Sequence, residues 1–252
     1  MAEYEASTYG DRWADLYDEW VAHQTQVADA EVIADGLAEL AGTGPALELA
    51  IGTGRVALPL AARGVEVHGI DASEAMVAKL RAKPGGDAIP VTTGDFAEVG
   101  VEGAYPLVYV VFNTFFALLT QEDQVRCFHN VAAHLTEDGV FLVEAFVFDP
   151  SYFSGGQSVR TTEVDADSVG LVASIHDPVQ QRIHSMILLL DETGTRRLPV
   201  QLRYASPSEL DLMARLAGLR LRERWGGWDR ETFTAASGRH ISVYERPAPA
   251  GS

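Results

Sequence analysis

A glycine-rich turn followed by a carboxylate is the part of this sequence best suited to chemistry. Residues 46 to 73, ALELAIGTGRVALPLAARGVEVHGIDAS, read as a strand, a glycine turn, a helix, a second strand and an acid. The segment GTGRVA fits the pattern G-x-G-x-x-G/A, and Asp71 follows at roughly the 20-residue spacing expected of a ribose-binding acid. Glycines let a backbone approach a ligand closely, and a carboxylate there can accept from a ribose diol. The stretch therefore predicts a nucleotide-type cofactor.

Two cofactor classes fit this loop, NAD and S-adenosylmethionine (SAM). Glu48 lies inside the first predicted strand, where a buried carboxylate is costly unless it satisfies a partner. The third strand ends in TGDF, which offers Asp95 to an adenine amino group beside the ring of Phe96. The lysines, Lys79 and Lys83, both follow the second strand, so the Tyr-x-x-x-Lys pair of short-chain dehydrogenases cannot form. These features favour SAM, with another type of NAD-dependent oxidoreductase as the alternative.

Four segments in order resemble the motifs of the class I SAM-dependent methyltransferases, and in particular the small-molecule type of bacterial secondary metabolism. They are LELAIGTG, HGIDAS, TGDF and LVYVVFNTFFALL. The resemblance covers about residues 40 to 150 well and the last 45 residues in outline. Ala50 departs from it, because the family usually has its first glycine there; we expect the small alanine to let the backbone pass.

The resemblance implies a set of cofactor-binding residues. Asp71 would take the ribose hydroxyls, Asp95 the adenine amino group, and Phe112 would end the fourth strand beside the sulfonium. Met76 and Phe96 would flank the adenine, although both could be plain core. The full set is Tyr17, Glu48, Ala50, Gly52, Gly54, Asp71, Ala72, Met76, Asp95, Phe96 and Phe112.

The candidate catalytic and acceptor-contacting residues are drawn from segments expected at the carboxyl edge of the sheet. Methyl transfer needs mainly alignment in a dry pocket, and a general base matters only if the nucleophile must lose a proton early. For Tyr17 the alternative role is packing in the core, and for Arg203 it is a surface salt bridge. The candidates are Tyr17, Asn113, Arg203, Trp228 and His240.

Short apolar runs alternating with helical segments predict an α/β fold with a parallel sheet covered on both faces. The resemblance implies a Rossmann-like seven-stranded sheet whose last strand is antiparallel. We expect a helical lid (1–40, with one helix beginning at Asp11), a SAM-binding core (41–150), an antiparallel β cap over the substrate after strand 5 (151–205) and the end of the core (206–247). Three cap strands are predicted, with a turn at DETGT.

Composition limits the partners. A net charge of −17 disfavours nucleic acid and anionic membranes, and no run of apolar residues is long enough to span a bilayer. The single cysteine, Cys127, and the absence of an N-terminal apolar run predict a cytoplasmic protein. No metal-binding spacing is visible. The family resemblance implies a methyl transfer from SAM to an N, O or C nucleophile of a small molecule, such as a ring-containing secondary metabolite of the amino sugar or indole type. A SAM-binding module without turnover is a further alternative.

Overall fold

A mixed sheet of seven strands forms the centre of the computed structural model, which describes residues 4–22 and 28–248. The strands in chain order are β1 (Ala46–Leu49), β2 (Val67–Asp71), β3 (Val91–Thr93), β4 (Tyr105–Val110), β5 (Leu135–Phe146), β6 (Gln157–Val164), β7 (Val169–Asp177), β8 (Arg182–Asp191), β9 (Gly194–Arg203), β10 (Arg220–Trp225) and β11 (Arg239–Glu245). The central sheet has the order β10-β11-β5-β4-β1-β2-β3. β11 is antiparallel to both of its neighbours, which confirms the predicted topology. The parallel strands therefore end at one edge.

Helices cover both faces of this sheet. They are α1 (Thr8–Trp13), α2 (Tyr17–Ala22), α3 (Ala30–Ala41), α4 (Ala57–Ala62), α5 (Glu74–Arg81), α6 (Gln121–His134) and α7 (Pro207–Leu216). One buried cluster packs α3 and α4 against the sheet, and another packs α6 and α7 against the opposite face. Ser73 caps α5, since its hydroxyl accepts from the backbone N–H of Met76 at 3.3 Å. Among the described residues, no helix has the length and apolar character needed to cross a membrane.

The N-terminal segment (residues 4–22) differs from the single helix predicted from Asp11, because α1 ends at Trp13 and α2 begins at Tyr17. Trp13 is fully buried, in a cluster that includes Met76 of α5 and Ile187 of β8. Its ring meets Trp20 edge to face, with ring centroids 4.7 Å apart. The break lets both tryptophans share one pocket, which helical periodicity alone does not reveal.

The inserted sheet (β6 to β9) follows β5 and is antiparallel throughout. The predicted strands correspond to β7, β8 and β9, and the turn at DETGT joins β8 to β9. β6 was not predicted, because this edge strand is mostly exposed and polar and so lacks an alternating apolar pattern.

Candidate functional site

A cavity of about 240 Å³ lies between the N-terminal segment and the carboxyl ends of β1 to β4. Eight of the predicted cofactor residues line it: Tyr17, Ala50, Gly52, Asp71, Ala72, Met76, Asp95 and Phe96. The other lining residues come mainly from the N-terminal segment and the stretch after β4: Tyr4, Glu5, Ala6, Tyr9, Gly10, Thr114, Ala117, Leu118, Leu119 and Asp123. Segments that are distant in the sequence therefore close over the cofactor motifs.

The carboxylate of Asp71 is held by two backbone groups. Oδ2 accepts from the N–H of Gly52 at 2.7 Å, and Oδ1 accepts from the N–H of Ser73 at 2.8 Å. Burial raises the pKa of Asp71, against the opposing effect of these two hydrogen bonds. Each carboxylate oxygen has a second lone pair, so both can still accept from a ligand.

The glycine turn after β1 uses three left-handed residues, with φ of 57° at Ala50, 57° at Gly52 and 75° at Gly54. The conformation of Ala50 explains why glycine is favoured at this position in the family that the sequence resembles. Gly54 does not line the cavity; a Cβ there would lie 2.3 Å from Leu80. The absence of a side chain at Gly54 therefore allows the turn to pack on α5.

A smaller cavity of about 30 Å³ adjoins the turn, and its lining includes Tyr17, Glu48, Arg55 and Phe112. Glu48 is buried and accepts a hydrogen bond from the hydroxyl of Tyr109 at 2.9 Å. Burial raises the pKa of Glu48 to about 8, although the Tyr109 hydrogen bond and the charge of Arg55 oppose the shift. The carboxyl is therefore mostly protonated near neutral pH.

Arg55 was missed by the sequence analysis, although it directly follows Gly54. Its guanidinium lies 5.2 Å from the centre of the Phe112 ring, and its positive charge lowers the pKa of Tyr17 against the effect of burial. A guanidinium beside a cofactor pocket can bind a carboxylate with two parallel hydrogen bonds.

Three aspartates attach the N-terminal segment to the glycine turn and to α5. The contacts are Asp11 with the Ser73 hydroxyl at 2.7 Å, Asp15 with Lys79 at 2.7 Å, and Asp18 with the Thr53 hydroxyl and Lys83, both at 2.6 Å. Gly10 allows this approach, since a Cβ there would lie 2.4 Å from that of Ser73. The segment thus closes the cavity over Asp71.

Asn113 and Trp228 lie near the sheet edge but line neither cavity. The side-chain oxygen of Asn113 accepts from the N–H of Phe146 at 2.7 Å. The indole N–H of Trp228 donates to Glu144 at 3.1 Å. Of the aromatic residues next to Asn113, Phe115 and Phe116 are fully buried in the core. In this structure, the side-chain oxygen of Asn113 and the indole N–H of Trp228 bind the protein itself.

Arg203 and His240 were also expected to face an acceptor, but both are buried in the protein. Arg203 is 5% exposed and forms an ion pair with Glu209 at 2.8 Å, besides a hydrogen bond to Gln124 at 2.6 Å. His240 is fully buried and bonds to the hydroxyl of Ser242 at 2.9 Å. Burial lowers the pKa of His240 to about 3, with a further contribution from the charge of Arg224. Both side chains turn inward, which their positions at strand ends did not reveal.

No cluster of three or more histidine, cysteine or acidic residues that could hold a metal ion occurs within residues 4–22 and 28–248.

Comparisons with known proteins match the sequence and the fold of this chain to methyltransferases. A family model described as "Methyltransferase domain" matches residues 46–139. The cypemycin N-terminal methyltransferase of a Streptomyces species is 30% identical over 203 residues, which cover 79% of this chain and 82% of that protein.

Solved structures have the same fold. The CcbJ methyltransferase from Streptomyces caelestis is 42% identical, with a TM-score of 0.90 and coverage of 97% of this chain and 100% of that one. The SAM-bound amino pentose methyltransferase CalS10 from Micromonospora echinaspora has a TM-score of 0.70 at 19% identity, covers 92% and 97% of the two chains, and supports the fold alone. These relatives favour SAM over NAD as the cofactor. The chain is therefore an enzyme that belongs to the class I SAM-dependent methyltransferases.

Proposed function

We propose that this enzyme transfers the methyl group of SAM to an amine nitrogen of a small, ring-containing molecule of secondary metabolism. The observation that carries the choice of an amine is the charge of the main cavity. Its described lining contains the carboxylates of Glu5, Asp71, Asp95 and Asp123 but no lysine or arginine. Such a cavity attracts a cationic molecule, and the net charge of −17 adds to the attraction.

The cofactor would span the two cavities. The ribose would lie at Asp71, the adenine between Met76 and Phe96 with its amino group at Asp95, and the methionine end near Glu48. The carboxylate of the methionine would bind Arg55. The remaining space beneath Tyr4, Tyr9 and Tyr17 would receive the acceptor, whose ring can pack on these aromatic faces.

A relative supports nitrogen as the methylated atom. The cypemycin N-terminal methyltransferase carries its position of methylation in its name, and it shares 30% identity with this chain over 203 residues. Because that protein modifies an N-terminus, it indicates an amine acceptor without indicating which amine.

The reaction is an in-line displacement at carbon. An acceptor that arrives as an ammonium would first release a proton to solvent. The amine lone pair would then attack the methyl carbon, the carbon–sulfur bond would break with both electrons going to sulfur, and the positive charge would pass to the methylated nitrogen. The ammonium then loses a proton to solvent. Alignment of nucleophile and methyl group can supply roughly 7–11 kcal/mol of the barrier. Glu5 and Asp123, the lining carboxylates that are not assigned to the cofactor, would favour the charge as it develops on nitrogen.

Tyr9 and Tyr17 are half-buried at the cavity wall and act in this scheme as neutral hydrogen-bond donors or acceptors. Burial raises the pKa of Tyr17 and raises that of Tyr9 well above its usual value, so both phenols stay protonated near neutral pH. Tyr17 is the candidate best placed to orient the acceptor, because it lines both cavities.

Matched acceptors test this proposal. Pairs of cyclic compounds that differ only in an amine or a hydroxyl at one position would be incubated with enzyme and SAM, and the added methyl mass located by tandem mass spectrometry. We expect methylation of amines at least roughly 100-fold faster than of the paired alcohols. Transfer only to oxygen or carbon would contradict the choice of nitrogen, while the family assignment would stand.

A further inference from the structure

Two consecutive residues after β4 have left-handed backbones although neither is glycine. The angle φ is 58° at Phe112 and 64° at Asn113. This region is unfavourable for a residue with a Cβ, and less so for asparagine than for phenylalanine. Such a turn persists only where its surroundings hold it in place.

β5 supplies those surroundings. Oε2 of Glu144 accepts from the backbone N–H of Phe112 at 3.0 Å, and the carbonyl of Glu144 accepts from the N–H of Asn113 at 3.2 Å. Asn113 in turn accepts from the N–H of Phe146 through its side-chain oxygen. The Glu144 residue is only 5% exposed, so a buried carboxylate is committed to fixing this turn.

Trp228 fixes the carboxylate from its other side. The indole N–H donates to Oε1 of Glu144 at 3.1 Å, and the guanidinium of Arg239 lies 3.6 Å from the same oxygen. The Trp228 ring packs closely on α3, where a Cβ at Gly36 would lie 3.2 Å from it. The loop between β10 and β11 therefore reaches the turn through Glu144.

Phe112 connects this arrangement to the cofactor pocket. It lines the smaller cavity together with Glu48 and Arg55. The Phe112 ring centroid is 6.3 Å from that of Trp20, and the Arg55 guanidinium lies over its face. A shift of the turn would move the wall that faces Glu48.

We propose that Glu144 is a positioning residue for SAM: it holds Phe112 at the methionine end of the cofactor pocket, and Trp228 orients it. The inference concerns cofactor binding and does not depend on the acceptor being an amine. Its failure can therefore be distinguished from failure of the proposed function.

Calorimetry with SAM and hydrogen–deuterium exchange test it together. Glu144→Ala should raise the dissociation constant for SAM about tenfold. It should also raise deuterium uptake in residues 111–117. The matched control is Glu223→Ala. The Glu223 carboxylate also accepts a hydrogen bond from an indole, that of Trp225 at 3.1 Å, but this pair lies away from the turn. This control should leave SAM affinity within about twofold.

A pair of conservative variants separates positioning from general destabilisation. In Glu144→Gln, the new amide would keep an oxygen for Phe112 but turn its N–H groups toward the indole N–H of Trp228, so that two donors meet. This variant should therefore weaken SAM binding about fivefold. Adding Trp228→Phe removes the nearer of the two opposing donors, the other being the Arg239 guanidinium, so the double variant should bind SAM more tightly than Glu144→Gln alone.

Equal SAM affinity in Glu144→Ala and Glu223→Ala would overturn the proposal. So would a double variant that binds SAM no better than Glu144→Gln, or weakened binding with unchanged exchange in residues 111–117. If Glu144→Ala does not fold, the Glu144→Gln pair decides the question by itself.

Discussion

Oδ2 of Asp71 accepts the backbone N–H of Gly52 at 2.7 Å, which ties the end of β2 to the glycine turn after β1. The acid thus fixes the turn and also offers its remaining lone pairs to the cavity. One side chain couples the shape of the cofactor site to its charge. This coupling makes Asp71 the residue whose removal should affect SAM most.

Asp71→Ala should weaken SAM binding at least tenfold, since hydrogen bonds to a charged group contribute about 1.5–3 kcal/mol each. Asp71→Asn keeps one acceptor and should lose less. Calorimetry with SAM and with NAD measures both claims; no NAD binding is expected. Tight NAD binding by the unaltered enzyme, or unchanged SAM affinity in Asp71→Ala, would show that this site is assigned wrongly.

SAM binding near pH 7 should release a proton from Glu48. Because burial raises its pKa to about 8, the carboxyl is mostly protonated in the free enzyme, and a bound sulfonium and ammonium favour its ionised form. The bound state then has the lower pKa, so affinity should rise with pH and level off above about pH 8. The enthalpy of binding, measured in buffers of different ionisation enthalpy, reports the released proton.

Glu48→Gln is the control for that release. The amide of this variant cannot ionise, so proton release should drop by the amount that Glu48 contributes, and any remainder belongs to SAM or other groups. If both proteins release equally at every pH from about 6 to about 8, Glu48 is not the group that titrates.

Ala50→Gly should stabilise the enzyme or leave its stability unchanged. Ala50 has a φ of 57°, a conformation that costs a residue with Cβ roughly 1–2 kcal/mol, while glycine loses roughly 0.5–1 kcal/mol through backbone entropy. Ala78, exposed inside α5, is the matched control, and Ala78→Gly should cost about 1 kcal/mol. Urea unfolding measures both. An equal loss in the two variants would mean that Ala50 is unstrained.

Arg203→Ala should lower the free energy of unfolding by about 3–5 kcal/mol, because it leaves Glu209 without its cationic partner in a largely buried ion pair, with only the amides of Gln121 and Gln181 bound to it. The folded fraction should bind SAM within a few-fold of the parent. Arg160, exposed on β6 above the ring of Tyr152, provides the control, and Arg160→Ala should cost within about 1 kcal/mol. Thermal unfolding followed by SAM titration separates the two effects. Normal stability with lost turnover would restore Arg203 to the acceptor site.

The strands of the central sheet and the cofactor motifs could be predicted along the chain because they depend on neighbouring residues, whereas the antiparallel last strand was implied by the family resemblance. Asp71 is the last residue of its strand, and the left-handed residues of the turn are local in sequence. The position of Tyr9 and Asp123 in the cavity lining could not be predicted, because it depends on how distant segments pack.

The direction in which side chains point was the main feature of the acceptor site that the sequence did not predict. His240 and Trp228 lie on elements near the ligand edge, yet His240 turns into the core and Trp228 binds Glu144. Each direction follows from the register of β11 on β5 and from the path of one loop. Neither is encoded in the spacing of residues along the chain.

A crystal structure of the enzyme with S-adenosylhomocysteine tests the central claim most directly. We predict the ribose hydroxyls within hydrogen-bond distance of Asp71, the adenine amino group at Asp95, and the carboxylate at Arg55, with the sulfur beside Phe112. The space beneath Tyr9 and Tyr17 should then remain for an acceptor. A ligand whose ribose lies away from Asp71, or whose adenine fills the space beneath the tyrosines, would contradict this account of the site.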